Sequence, residues 1–149
     1  MNKIIIHHSL TPDSETVSWG AIRKWHMGLT GFPIKGHPDY NPYIEAPMRD
    51  IGYHWGIEFI GDRYEILKGR DGNGAHTIGQ NEDGIGICVV GNFDLDPVTP
   101  ELEDTLHRLL VWLIPLYGID NHAIYGHCEF ASKSCPGKHL FEYVQQIRK

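Results

Sequence analysis

Apolar positions fall into short β-branched runs and one leucine stripe, separated by stretches dense in glycine and proline. Residues 3–9 predict a strand, because Ile4, Ile5 and Ile6 are consecutive and β-branched and the turn-forming Thr11-Pro12-Asp13-Ser14 follows. Ser18 is placed to cap a helix in which Trp19, Ile22, Trp25 and His26 recur at three- and four-residue spacing, ending near Gly28. Residues 30–50 contain Gly31, Pro33, Gly36, Pro38, Pro42 and Pro47, which predict a long surface loop. Residues 51–60 and 63–67 flank Gly61-Asp62 and read as the two strands of a hairpin.

Residues 84–91 predict another buried strand, with Cys88 as a small core residue. A helix opens at Thr99-Pro100-Glu101: threonine caps it, proline suits its first turn, and acids meet the positive end of its dipole. Leu102, Leu106, Leu109, Leu110, Leu113 and Leu116 give that helix an apolar face. Residues 122–126 predict a short strand, 129–136 an irregular segment and 139–148 a closing helix. With no internal repeat or linker, the expectation is a single mixed α/β domain over residues 1–149.

A length of 149 residues and 41% hydrophobic content suit one soluble domain that buries its own core. The formal charge of −6, from 13 basic and 19 acidic residues, lacks the basic excess that a phosphate backbone demands, so no nucleic-acid partner is expected. No apolar run reaches the roughly 20 residues of a membrane span, so stable membrane insertion is not expected either. The N-terminus runs through Ile4-Ile5-Ile6 straight into His7-His8, unlike a secretion signal, and synthesis in the cytoplasm without a signal peptide is expected. Three cysteines are an odd number, which argues against a disulfide framework and for thiols that are buried or bound to metal.

Zinc takes nitrogen and sulfur ligands in a tetrahedron, and a catalytic site keeps one position for water. Two separated clusters supply such atoms: Ile6-His7-His8-Ser9 at a strand end, and Gly126-His127-Cys128-Glu129 followed by Lys133-Ser134-Cys135-Pro136. Cys128 and Cys135 are too far apart for the two-residue knuckle of a zinc finger, and no second cysteine pair exists. An open three-ligand site is therefore the stronger reading. Successive strand side chains point to opposite faces, so only one of His7 and His8 can readily face a metal.

Six blocks, taken in order and spacing, carry a family resemblance: IIIHHS at 4–9, IRKWH at 22–26, DIGYHW at 50–55, GRDGNGAHTIGQN at 69–81, IGICVVGNF at 85–93 and GHCEFASKSCPG at 126–137. Together they resemble the zinc N-acetylmuramoyl-L-alanine amidases, a type shared by phage lytic enzymes and animal peptidoglycan recognition proteins. The resemblance spans nearly the whole chain. It implies a central mixed β-sheet flanked by helices with a groove across one face, a Zn2+ cofactor, and hydrolysis of the bond joining the muramic acid lactyl group to L-alanine in bacterial peptidoglycan.

By position, the resemblance implies His7, His127 and Cys135 as metal ligands, Tyr53 and Lys133 as catalytic residues, and His76 and Asn92 as substrate contacts. Attack on a carbonyl leaves an oxyanion that needs a charge or donor nearby, which Lys133 and Tyr53 would supply. Cys128 stands where relatives often carry a second histidine and is read as a packing residue. His26 and His107 are read as solvent-facing or packing side chains, and His37 as a loop residue. The role expected is a phage or prophage endolysin, a monomer acting on peptidoglycan or muropeptides after holin-type release. A non-catalytic peptidoglycan-binding module and a cytoplasmic muropeptide-recycling amidase are the alternatives. Retention of Cys135, His7 and His127 together with Tyr53 and Lys133 favours an enzyme.

Overall fold

A computed structural model describes residues 1–11, 18–27 and 48–148. Most of the loop expected over 30–50 lies outside the described residues, as does His37. Strand β1 (Lys3–His8) is buried from Ile4 onward, the pattern of a strand covered on both faces. Helix α1 (Trp19–His26) begins where Ser18 Oγ accepts from Ala21 N at 3.1 Å. The hairpin forms from β2 (Trp55–Ile60) and β3 (Arg63–Lys68), turning at Gly61 with φ +68°. Strands β4 (Gly84–Val89) and β5 (Ile124–Gly126), with helices α2 (Pro100–Tyr117) and α3 (Lys138–Ile147), complete the described elements apart from one 3-10 turn, His127–Glu129.

The sheet runs β3-β2-β4-β1-β5. β1 pairs in parallel with β4 and β5, β2 pairs in parallel with β4, and among the described residues only the β2–β3 hairpin is antiparallel. One apolar layer joins Ile4, Ile6, Ile85 and Ile87 to Leu102, Leu106, Leu109 and Leu113 of α2 and to Leu140 and Val144 of α3. Burial of each of those leucines stabilises by about 1.5–3 kcal/mol relative to exposure, which is what anchors the α2 stripe to the sheet. A second, smaller cluster of Trp19, Ile22, Ile51, Cys88 and Val90 joins α1 to the sheet. Cys88 is fully buried there, as its apolar context predicted.

Three expectations are corrected. Residues 51–54 are not strand: Gly52 N donates to His26 Nδ1, Gly52 O accepts from Ala75 N, and Ile51 O accepts from Arg70 Nε, so other partners take the groups a ladder would use. Leu116 is exposed, because the chain turns back at the left-handed Gly118 cap and Ile119 fills the end of the core instead. Trp25, expected on the apolar side of α1, is also exposed.

Candidate metal centre and catalytic cleft

His7 lies at the carboxyl end of β1, and His127 follows directly on β5. Because β1 and β5 are parallel neighbours, these two ends lie side by side, the usual place for a ligand in an open α/β sheet. Their ring centroids are 4.5 Å apart. The turn carrying His127 is tied down by Glu129, whose Oε2 accepts from Gly126 N at 2.9 Å. Arg148 Nη1 donates to Glu129 Oε1 at 2.9 Å and to Ile124 O at 3.2 Å, so the end of α3 fixes the same turn.

The loop beyond that turn folds back, with Cys128 N donating to Cys135 O at 2.7 Å. It brings Cys135 Sγ to 3.7 Å from His7 Nδ1. One ligand atom each from His7, His127 and Cys135 lies within 4.8 Å of the others. A tetrahedral zinc with bonds of about 2.0 Å to nitrogen and about 2.3 Å to sulfur would hold N and S about 3.6 Å apart, so the donor set fits that ion. Cys128 is outside the group. His8 is committed elsewhere: its Nδ1 accepts from Phe93 N at 3.2 Å.

Burial above all, and then the neighbouring His76 and His127, hold the His7 imidazole well below its usual 6.5. Burial, followed by Lys133, pushes His127 down to about 4. Both rings are thus neutral at pH 7, the state that offers a lone pair to a metal. Burial pushes the Cys135 thiol up to about 12 in the metal-free chain, and a bound cation is what converts such a buried thiol to thiolate.

The same burial predicts acid sensitivity. His26 is held at about 4 and His76 at about 3, in each case chiefly by burial. An unfolded imidazole titrates near 6.5, so the unfolded state binds protons first as pH falls. Stability of the metal-free protein is expected to be full above about pH 6.5 and to decline toward pH 4, with His76 alone contributing a loss of up to about 2 kcal/mol by pH 5. Urea unfolding at pH 7.5 and pH 5 measures this, and an unchanged midpoint would contradict it.

Tyr53 lies beside the ligands, its ring 5.1 Å from that of His7. Burial, with nearby Cys88, raises its phenol well above 10, so the O–H is kept as a donor at neutral pH. Its main chain is clamped: Arg70 N donates to Tyr53 O at 3.0 Å, and a Cβ at Gly69 would come within 2.1 Å of that oxygen. Lys133, with an exposed side chain, lines the same cleft together with His7, His127, Cys135 and Tyr53. The cleft encloses about 480 Å³, inside the about 300–1,000 Å³ range of small-ligand sites.

His76 and Asn92 do not line that cleft. Asn92 Oδ1 instead accepts from Asp94 N at 3.2 Å within its own turn. His76 packs edge-on against the ring of His7, 5.0 Å between centroids. His107 is exposed, while His26 packs 5.7 Å from Tyr53. Sequence reasoning passed over Leu10, which lines the cleft in the left-handed region with φ 58°. It also passed over Arg70, whose guanidinium donates to Ile51 O and Asp50 O in the segment that leads into Tyr53. Neither carried a signal, since a lone loop leucine and a lone arginine after a strand are ordinary.

Comparison with known proteins bears on the family and the fold. The N-acetylmuramoyl-L-alanine amidase family matches residues 1–138. The endolysin of Escherichia phage T7 is 32% identical over 140 residues, covering 89% of this chain and 78% of that protein. Peptidoglycan-recognition protein SC1a of Drosophila melanogaster is 26% identical over 147 residues, covering 95% and 70%. Among solved structures, the endolysin N-acetylmuramoyl-L-alanine amidase LysCS from Clostridium intestinale superposes with a TM-score of 0.71 at 26% identity, covering 97% of this chain and 81% of that one. A shared fold, a family match over nearly the whole length and relatives above 30% identity lead to one conclusion: the chain belongs to the N-acetylmuramoyl-L-alanine amidase family.

Proposed function

We propose that this protein is a zinc-dependent amidase that hydrolyses the bond between N-acetylmuramic acid and L-alanine in bacterial peptidoglycan, in a lytic role like that of phage endolysins. The observation that carries this reading is the meeting of His7, His127 and Cys135 in a cleft that also holds Tyr53 and Lys133. The three ligands would hold the ion, and zinc, when bound, supplies an activated water and polarises the scissile carbonyl. In this reading the ammonium of Lys133 and the neutral phenol of Tyr53 serve the charge that develops on the carbonyl oxygen, the largest electrostatic demand of acyl transfer. Similarity to endolysins supports hydrolysis, while similarity to peptidoglycan-recognition proteins supports the polymer as partner.

Digestion of purified sacculi, with zinc quantified on the same sample, tests the proposal. The expected result is about one zinc per chain, activity lost to a strong chelator and restored by zinc, and products with free N-terminal L-alanine on intact glycan chains. New reducing sugar ends would show a glycosidase instead. Sedimentation with sacculi without any product would show a binding module, and full activity in metal-free protein would exclude the metal from the chemistry.

A further inference from the structure

We infer that His76 is a positioning residue that fixes the tautomer of His7, so that the Nδ1 lone pair of His7 faces the metal centre. This inference rests on the zinc reading above. Its basis is a chain of hydrogen bonds anchored on a carbonyl. His76 Nε2 lies 3.2 Å from Gly84 O. A carbonyl only accepts, so that nitrogen carries the proton and, in a neutral ring, His76 Nδ1 is left as an acceptor. His76 Nδ1 is in turn 3.0 Å from His7 Nε2, which must then donate. The remaining nitrogen of His7, Nδ1, is the one that faces Cys135 Sγ. Thr77 Oγ1, 3.3 Å from His7 Nε2 and 3.0 Å from His76 Nδ1, can share the same proton and lone pair without changing that assignment.

The arrangement is built in advance of any ligand. Asn81 Oδ1 accepts from the main-chain N–H of both His76 and Thr77, at 2.8 and 2.9 Å, which locks the loop that presents them. The ring occupies a slot open only because two neighbours are glycine: a Cβ at Gly74 would come within 2.4 Å of His76 Cδ2, and one at Gly86 within 2.5 Å. A side chain held between His7 and two glycine main chains is fixed in the one place from which it can orient that ring. Outer partners of this kind hold a ligating imidazole in one tautomer and raise its basicity, and their loss typically weakens metal binding about 10- to 100-fold.

The test measures zinc affinity of the purified protein by competition with a chelator of known affinity, and the visible absorption of the cobalt(II)-loaded form, for His76→Phe, His76→Asn, His76→Gln and the reference His7→Ala. Phenylalanine fills the slot without an acceptor, asparagine keeps a carbonyl oxygen about where Nδ1 stood, and glutamine moves its amide to the far end. The expected result is zinc binding weakened about 10- to 100-fold by phenylalanine and glutamine, with asparagine restoring most of it together with the wild-type cobalt spectrum. Should the phenylalanine variant fail to fold, the asparagine–glutamine comparison decides. Wild-type affinity in every folded His76 variant, with KM alone raised, would overturn the inference in favour of substrate contact. Equal losses in the asparagine and glutamine variants would overturn it in favour of packing. Failure of the zinc reading looks different, since wild type and His7→Ala would then bind zinc equally.

Discussion

Replacing His7 by alanine is expected to strip the protein of zinc and of measurable hydrolysis, whereas His8→Ala keeps most of both. The two residues are adjacent on β1 and both are buried, so burial does not distinguish them. Orientation does. The pleat sends His7 toward His127 and Cys135, while His8 Nδ1 accepts from Phe93 N, a member of the layer packed under α2 and α3. His7→Ala removes one of three ligands, and its effect on zinc affinity exceeds the about 10- to 100-fold of an outer partner. His8→Ala leaves the buried Phe93 N–H without its acceptor, a loss of about 1–3 kcal/mol in stability. Zinc content after gel filtration and urea unfolding of both variants separate the two effects. Equal zinc in His7→Ala and wild type would refute the assignment.

The alternation rule limits the metal-facing histidine to one of an adjacent pair, and this much is legible before any fold is known. The elements that frame the site are equally legible where local chemistry dominates. Ile4-Ile5-Ile6 makes β1, Ser18 and Thr99 cap α1 and α2 through their hydroxyls, and the leucine spacing predicts which face of α2 is buried. What stays illegible depends on partners distant in sequence. Residues 51–54 look like an extension of β2 until Arg70, Ala75 and His26 are seen to take their main-chain groups. Resemblance aligned the loop residue His76 with a groove position; its neighbours His7 and Gly86 lie on β1 and β4, and no local pattern reveals that slot. Asn92 differs again, because its amide oxygen satisfies the turn two residues on. Side chains of its type do this routinely, so its type alone could not decide between turn and ligand.

The most demanding expectation separates holding the metal from using it. Tyr53→Phe and Lys133→Ala are expected to fold and to carry about one zinc, yet each to lose about 10²- to 10³-fold in turnover, the size of removing one donor that acts only in the transition state. Neither residue is among the three side chains whose ligand atoms converge, so zinc has no reason to leave. Their surroundings differ in a way the kinetics should display. The Tyr53 ring packs at a tilt against those of His7, Trp19 and His26, and phenylalanine preserves that packing while deleting only the hydroxyl. Lys133 is exposed at the cleft rim, where alanine removes a charge at little cost to the core. A loss confined to kcat at constant zinc content would therefore report chemistry in both cases. Near-normal turnover in both folded, zinc-loaded variants would mean that Tyr53 only packs and Lys133 only meets solvent, leaving His7, His127 and Cys135 as the entire catalytic contribution of the chain.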